Sequence, residues 1–220
     1  MEYSYKGVIF DFNGTLFFDN DKHVRAWGTI SRLIRGYDIS EEELHNQFNG
    51  TPNIQNILYM TNHQATPEEL TKYSQLKEEY YRQYCKEDVE NFHLVDGTKE
   101  YFDSLKQNHI PFTIASASIK ENIDFFRESF DLDRWIHPHH IVYDDGTYTN
   151  KVQMFKDAAK RIHVDIKDVL VYEDSFSGIK NAYEAGVKSI IVVCPKEKSQ
   201  DYRHLPGVIG TIETFDEVLE

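Results

Sequence analysis

The fold is decided by residues 7–16, which read Gly7-Val8-Ile9-Phe10-Asp11-Phe12-Asn13-Gly14-Thr15-Leu16. Its first half, Val8–Phe10, is a continuous apolar run, which is typical of a strand buried on both faces of a parallel sheet. The run ends at the carboxylate of Asp11, and Gly14 then allows the backbone to turn and to approach a ligand closely. Ligands of open α/β sheets bind at the carboxyl ends of the strands, so Asp11 is expected at the bottom of an active site. The alternative is a capping Asp in an ordinary strand-to-loop turn.

Strand-like and helix-like segments alternate along the chain from about Leu94 onwards. Apolar strand-like runs lie at 112–115, 141–143, 169–172, 190–193 and 208–209, and segments of helical periodicity separate them. Such alternation predicts an α/β fold with a doubly wound, mostly parallel, Rossmann-like sheet. Within this region Asp145-Gly146 indicates a hairpin turn.

The segment from about residue 20 to 88 differs, because it carries helix signals and no convincing strand. Apolar residues recur at helical spacing after Val24, and capping patterns begin further helices after Ser40 and Thr66. The sequence therefore predicts a helical insert at 17–91. We expect short hinges to insert it into an α/β core domain made of 1–16 and 92–220.

Composition excludes several classes of function. The 220 residues carry a formal net charge of −13 with no basic block, which argues against a nucleic-acid partner. Two distant cysteines, Cys85 and Cys194, give neither a disulfide framework nor a metal-binding spacing. No signal peptide is evident and no apolar run approaches membrane-spanning length. A cytoplasmic protein with no membrane association is the expectation, and a monomer is compatible with these features.

Polar clusters follow three more of the predicted strands. Ser116-Ala117-Ser118 comes after the strand at 112–115, Lys151 opens the helix after the Asp145-Gly146 turn, and Glu173-Asp174 follows the strand at 169–172. Each has a structural alternative, since a serine or Asp174 is a common helix cap and Lys151 fits a solvated helix start. Asp11 and these three clusters each lie at the end of a predicted strand. Their positions and their order along the chain favour a shared site.

These four segments together resemble the haloacid dehalogenase (HAD) superfamily over nearly the whole chain. Asp11-Phe12-Asn13-Gly14-Thr15 looks like the first motif of that superfamily, Ser116 the second, Lys151 the third, and Glu173-Asp174 the fourth. The helical block lies where the superfamily inserts its cap domain. The β-phosphoglucomutase and phosphoglycolate-phosphatase branch is the most similar, on His23-Val24-Arg25-Ala26-Trp27 and Ala115-Ser116-Ala117-Ser118.

The resemblance implies a phosphatase that acts on a small phosphorylated metabolite, with sugar phosphates as one class of substrate. Asp11 would be the nucleophile, and Mg²⁺ would be held by the Asp11 carboxylate, the Asn13 backbone carbonyl and Asp174. The phosphoryl oxygens would be bound by Ser116, Lys151 and backbone N–H groups around Gly14 and Thr15. The resemblance also implies substrate contacts from Ala117, Ser118 and His23.

Asn13 departs from the pattern of that branch, whose phosphatases and mutases usually carry a second aspartate at this position. That aspartate protonates the leaving oxygen and later deprotonates water, and an amide can do neither. Asn13 keeps its backbone carbonyl for a metal, and His23 or Glu173 is the best substitute for the missing acid. A second departure is that Lys151 is followed by Val152 rather than by the proline common in the third motif.

Three functions follow from this sequence. The first is a Mg²⁺-dependent phosphatase working through Asp11, and the second is a low-turnover or non-catalytic homologue that binds a phosphorylated ligand. The third is a phosphomutase related to β-phosphoglucomutase. For a mutase, Gly50-Thr51-Pro52-Asn53 lies where the relative presents an arginine to the distal phosphate, and Asn53 offers no charge.

Overall fold

The computed structural model describes residues 5–48 and 51–219. It divides into two compact units, an α/β unit formed by Met1–Phe18 and His93–Glu220, and a helical unit formed by Asp19–Phe92. Residues 1–4 and 220 of the predicted core lie outside the described residues, and so does Gly50 of the predicted helical segment. None of the helices in the described part of the chain has the length and apolar composition needed to cross a membrane.

The described residues of the helical unit form four α-helices. They are α1 (Asn20–Arg35), α2 (Glu41–Glu43), α3 (Asn53–Met60) and α4 (Pro67–Glu87), and the π-helical segment Leu44–Phe48 continues α2. The capping box predicted at Ser40 is confirmed, with Glu43 returning the hydrogen bond, and the helix start predicted at Thr66 is a second capping box with Glu69. A core of Trp27, Ile30, Phe48, Ile57 and Met60 holds these helices together.

The α/β unit is built on one parallel sheet, which confirms the predicted fold class. Its strands are β1 (Gly7–Phe10), β2 (Phe112–Ile119), β3 (Val142–Asp144), β4 (Val169–Glu173), β5 (Ser189–Val193) and β6 (Val208–Ile212). Their order across the sheet is β3-β2-β1-β4-β5-β6, and every described pair is parallel. The strand order therefore reverses at β1, which is where open α/β sheets bind ligands.

Two local predictions in this sheet need correction. The hairpin at Asp145-Gly146 is wrong, because β3 pairs in parallel with β2. The Asp144 and Asp145 carboxylates accept the N–H groups of Gly146 and Thr147 at 2.9 and 3.0 Å, which turns the chain towards the next helix. The second strand is also longer than predicted and continues through the serine cluster to Ile119.

Helices cover both faces of the sheet. They are α5 (Thr98–Gln107), α6 (Lys120–Phe130), α7 (Lys151–Arg161), α8 (Phe176–Ala185) and the short α9 (Ser199–Tyr202). Two fully buried residues of β1 show the layering: Ile9 belongs to the core that contains α7 and α8, whereas Phe10 stacks on Tyr172 with ring centroids 5.1 Å apart. Burial on both faces explains the continuous apolar run of β1.

Candidate active site

Three neighbouring strands bring the predicted site residues to one edge of the sheet. Phe10 of β1 lies opposite Ile114 of β2 and Tyr172 of β4. The Asp11 N–H donates to the carbonyl oxygen of Tyr172 at 2.9 Å, so the ladder continues one residue beyond the strand. Asp11 consequently lies at the same level as Glu173, the last residue of β4.

Lys151 joins the acid that follows β1 to the acid that ends β4. Its ammonium nitrogen lies 2.8 Å from Asp11 Oδ1 and 2.6 Å from Glu173 Oε1. The lysine is the first residue of α7, and the Asn150 side chain caps this helix by accepting the Val152 N–H at 3.0 Å. The lysine assigned to the third motif therefore reaches the nucleophile assigned to the first.

Glu173 organises the loop that carries Asp174. Its carboxylate is fully buried, and its Oε2 accepts the backbone N–H groups of Asp174 and Ser175, both at 2.9 Å. The Ser175 hydroxyl donates to the same oxygen at 3.0 Å. A Cβ on Gly178 would overlap the Glu173 carboxylate, so this packing requires glycine there. Both oxygens of Glu173 are therefore engaged by protein donors.

Gly14 and Thr15 pack against Asp174. Gly14 has a φ of +77°, and a Cβ there would overlap the Asp174 carboxylate. Both the backbone conformation and the close approach therefore favour glycine. The buried Thr15 hydroxyl lies 3.5 Å from Asp174 Oδ1. The loop after β1 thus packs around the Asp174 carboxylate.

The acidic groups of this site repel one another. Ligand oxygens of Asp11, Glu173 and Asp174 lie within 4.8 Å of one another. Burial raises the pKa of Asp11 to about 7; the Lys151 ammonium opposes this and the Glu173 charge adds to it. Burial, followed by the charges of Glu173 and Asp11, holds the pKa of Asp174 well above its usual range.

A hard divalent cation fits this arrangement. Three carboxylates face one lysine, and since Glu173 is already bonded at both oxygens, Asp11 and Asp174 are the acids best able to offer an oxygen. Oxygen ligands of this kind are preferred by Mg²⁺ and Ca²⁺. A cation would also offset the repulsion between the acids, which adds to the effect of burial in raising the pKa values of Asp11 and Asp174.

Asn13 is held by both serines of the second motif. The Ser116 and Ser118 hydroxyls donate to Asn13 Oδ1 at 3.3 and 2.7 Å. Ser116 is buried and its Oγ also accepts the Ser118 N–H at 3.1 Å, whereas Ala117 is exposed. The structure therefore brings Asp11, Lys151, Glu173 and Asp174 together and joins Asn13 to both serines, whereas Ala117 lies exposed between those serines on the strand.

His23 belongs to the helical unit, where it is part of a second polar cluster. Its Nδ1 lies 2.8 Å from Lys77 Nζ, its Nε2 lies 3.4 Å from Asp19 Oδ2, and its ring stacks on Tyr81 with centroids 4.0 Å apart. Lys77 also forms an ion pair with Glu78 at 2.9 Å. We call Asp19, His23, Lys77, Glu78 and Tyr81 the helical network.

Sequence reasoning missed two features of these clusters. It treated Glu173 as part of an acidic motif, and did not foresee that this residue would anchor Lys151. It also overlooked the buried Lys77, although a signal was present: Lys77 lies four residues from both Tyr73 and Tyr81, on the apolar face of α4. A lysine within such a stripe indicates a buried polar contact.

The chain matches a family of known proteins and is similar to several solved structures. Residues 8–192 match the haloacid dehalogenase-like hydrolase family. A HAD hydrolase of family IA, variant 3, from Entamoeba histolytica is 34% identical to this chain; the alignment covers 96% of this chain and 94% of that one, with a TM-score of 0.88.

Two further structures share the fold at lower identity. CbbY from Rhodobacter sphaeroides, in complex with phosphate, is 18% identical over 97% of this chain and 96% of its own, with a TM-score of 0.76. A β-phosphoglucomutase from Clostridium difficile is 20% identical over 97% and 93% of the two chains, with a TM-score of 0.74. The family match over residues 8–192 and the identity to the Entamoeba hydrolase show that the chain belongs to the haloacid dehalogenase-like hydrolase family.

Proposed function

We propose that this protein is a Mg²⁺-dependent phosphatase of small phosphorylated metabolites, with Asp11 as its nucleophile. The observation that carries the proposal is the contact of Asp11 with Lys151 at 2.8 Å inside a cluster of three acids. A carboxylate needs help to approach a phosphate dianion, because the two charges repel. Lys151 supplies one positive charge at that point, and the acid cluster is suited to a second.

The reaction has two displacement steps. An Asp11 carboxylate oxygen attacks phosphorus, a new P–O bond forms, and the bond from phosphorus to the ester oxygen breaks with the electron pair leaving on that oxygen. The leaving alkoxide then takes a proton from solvent water, because the Asn13 carboxamide has none to transfer. Water attacks the phosphorus of the acyl phosphate next, which releases inorganic phosphate and restores the Asp11 carboxylate. Ser116 and Lys151 bind phosphoryl oxygens during both steps.

The metal would be held by the carboxylates of Asp11 and Asp174 and by the backbone carbonyl of Asn13. When bound, Mg²⁺ supplies positive charge that offsets the repulsion between the nucleophile and the phosphate. Glu173 is proposed to be a positioning residue, because its carboxylate contacts Lys151 and accepts the Asp174 N–H.

The helical unit is proposed to be the cap that selects the substrate. Its insertion between β1 and α5 supports this role. Sugar phosphates are the substrate class that we would test first, and His23 is the network residue proposed to contact them.

A second candidate function is the binding of a phosphorylated ligand with little turnover. The specific observation in its favour is Asn13, whose carboxamide is held by Ser116 and Ser118 and offers neither a transferable proton nor a base. A phosphomutase has less support, because Asn53 donates to Glu78 at 2.8 Å and carries no charge for a second phosphate.

A screen of phosphate monoesters with and without Mg²⁺ separates these candidates. We expect release of inorganic phosphate that requires Mg²⁺, and a phosphoryl group trapped on Asp11 when the reaction is quenched in acid and mapped by peptide mass spectrometry. Ligand binding without phosphate release would favour the second candidate. Conversion of one sugar phosphate into its isomer would favour the mutase.

A further inference from the structure

Ser118 lies on the same side of β2 as Ser116. The strand continues in extended conformation through both residues, so alternate side chains face the same way. The pairing of β2 with β3 is irregular between Ser116 and Ile119. Irregularities of this kind re-aim side chains beside active sites. Here they accompany two hydroxyls that converge on a single acceptor, the side-chain oxygen of Asn13.

The two hydroxyls are not equivalent. The hydrogen bond from Ser118 to Asn13 Oδ1 is the shorter, at 2.7 Å against 3.3 Å from Ser116. Ser116 is also tied to the Ser118 N–H through its own Oγ. If Ser116 turns its hydroxyl hydrogen towards a phosphoryl oxygen, its long bond to Asn13 is the one given up. The bond from Ser118 remains.

Two of the acids of the site have a hydroxyl group beside them. Thr15 lies 3.5 Å from Asp174 Oδ1, and Ser175 donates to Glu173 Oε2 at 3.0 Å. Ser118 completes this pattern for Asn13. A carboxamide needs such a partner, because the terminal torsion of asparagine is broad and does not fix the amide plane by itself.

We propose that Ser118 is a positioning residue that fixes the orientation of the Asn13 carboxamide beside the reacting phosphoryl group. This inference rests on the proposed phosphatase function, in which residue 13 stands next to the leaving oxygen. An amide held in one orientation presents its N–H hydrogens to that oxygen in every reactive encounter. An amide that rotates does so only part of the time, and the rate falls in proportion.

The first test is a mutant cycle with para-nitrophenyl phosphate and Mg²⁺. Ser118→Ala should lower kcat about three- to tenfold, the worth of one neutral hydrogen bond, with little change in KM. Ser118→Thr keeps the hydroxyl and should retain most of the activity. In an Asn13→Ala background, Ser118→Ala should have no further effect, because its partner is gone. An equal loss in both backgrounds would overturn the proposal, since Ser118 would then act independently of Asn13.

The second test does not depend on activity. The side-chain NH₂ signals of Asn13 in a ¹H–¹⁵N spectrum are identified by their loss in Asn13→Asp. Ser118→Ala should shift them, whereas Ser104→Ala, a serine substitution on α5 away from the site, should not. Unshifted signals in Ser118→Ala overturn the proposal whatever the kinetics. Shifted signals in a protein that releases no phosphate from any ester would refute the proposed phosphatase function and leave the contact standing.

Discussion

The acid cluster of the α/β unit and the helical network bury similar groups but arrange them in different ways. In the acid cluster, three carboxylates lie within 4.8 Å of one another and share one lysine. In the helical network, Glu78 is paired with Lys77 at 2.9 Å, and Asp19 accepts the Tyr81 hydroxyl and lies 3.4 Å from His23 Nε2. Each acid has a donor in both arrangements, but the first also places three carboxylates against one another.

This difference separates residues arranged for a ligand from residues that hold the fold. Clustered acids are unfavourable for folding until a cation or a proton offsets them. A paired acid loses its partner when that partner is mutated, and the remaining buried charge then destabilises the protein. Substitutions in the acid cluster should therefore change activity more than stability, and substitutions in the helical network should do the opposite.

The largest expected effect is that of Asp11→Asn on phosphate release. The variant loses the nucleophile, so kcat should fall by roughly 10⁴-fold or more, as for other enzymes that lose an attacking group. Its midpoint of thermal unfolding in EDTA should stay at or above that of the wild type, because one of three clustered charges is removed. Colorimetric phosphate release and differential scanning fluorimetry measure the two quantities. Loss of activity together with a lower midpoint would instead assign Asp11 a structural role.

Asn13→Asp adds an acid to the same cluster and should raise activity. If Asn13 stands in for a missing general acid and base, turnover of alkyl and sugar phosphates should rise by about 10²–10⁴-fold. Esters with good leaving groups gain less in the first step, because they depart without a proton. Rates for glucose phosphate and para-nitrophenyl phosphate in both proteins decide the matter. No gain with the sugar phosphate would mean that another group already supplies the proton.

Lys77→Met tests the helical network. Removal of the ammonium takes one ion-pair partner from the buried Glu78, so the free energy of unfolding should fall by about 1–3 kcal/mol. Urea titration followed by circular dichroism gives this value. The exposed Lys72→Met on the same helix is the matched control and should change stability little. Lys77→Met combined with Glu78→Gln should recover part of the loss; a double variant as unstable as the single one would contradict the pairing.

Sequence reasoning reached the acid cluster because parallel strands impose a simple geometry. Their carboxyl ends meet at one edge, so Asp11 and Asp174, assigned to the ends of two strands, had to lie near each other once the fold was established. The same reasoning placed Lys151 near that edge. The family match confirms the resemblance on which the motif assignments were based.

The contacts that sequence reasoning did not reach depend on side-chain direction. The bond from Ser118 to Asn13 follows from a longer β2 with an irregular register, and the predicted strand stopped at Ala115. The hairpin signal at Asp145-Gly146 was misleading because two aspartates accept the N–H groups of their own turn. Burial of Lys77 depends on the polar partners that surround it, which helical spacing does not reveal.

Asp174→Asn should change stability in the direction opposite to Lys77→Met, because one acts in the acid cluster and the other in the helical network. In EDTA the neutral side chain removes repulsion with Asp11 and Glu173, so the free energy of unfolding should rise by about 1 kcal/mol or more. The stabilisation that Mg²⁺ gives the wild type should be lost, because one proposed ligand is gone. Thermal unfolding with EDTA and with Mg²⁺ measures both effects. Glu121→Gln, an exposed acid on α6, controls for the change in net charge. A less stable Asp174→Asn in EDTA would show that Asp174 is held by its neighbours rather than repelled.

The smallest effect concerns Glu43, a paired acid of the helical unit outside the network. Its Oε1 accepts from Arg35 at 2.7 Å and from the Tyr59 hydroxyl at 3.1 Å, and its Oε2 accepts the Ser40 N–H at 3.0 Å. The hydrogen bond from Arg35, followed by that from Ser40, lowers the pKa of Glu43 from 4.5 to about 2.

A carboxyl whose pKa is lower in the folded than in the unfolded state stabilises the protein fully above its unfolded pKa. That contribution disappears as the pH falls from about 4.5 towards about 2. The difference in free energy of unfolding between the wild type and Glu43→Gln should therefore shrink between pH 5 and pH 2. Since Glu43 is partly exposed, we expect a change of about 1 kcal/mol. Urea titrations of both proteins at pH 5, 3.5 and 2.5 measure it, and the pairwise difference cancels the titration of other groups. A constant difference across this range would show that the ion pair with Arg35 contributes nothing, and that pairing alone does not distinguish the helical unit from the acid cluster.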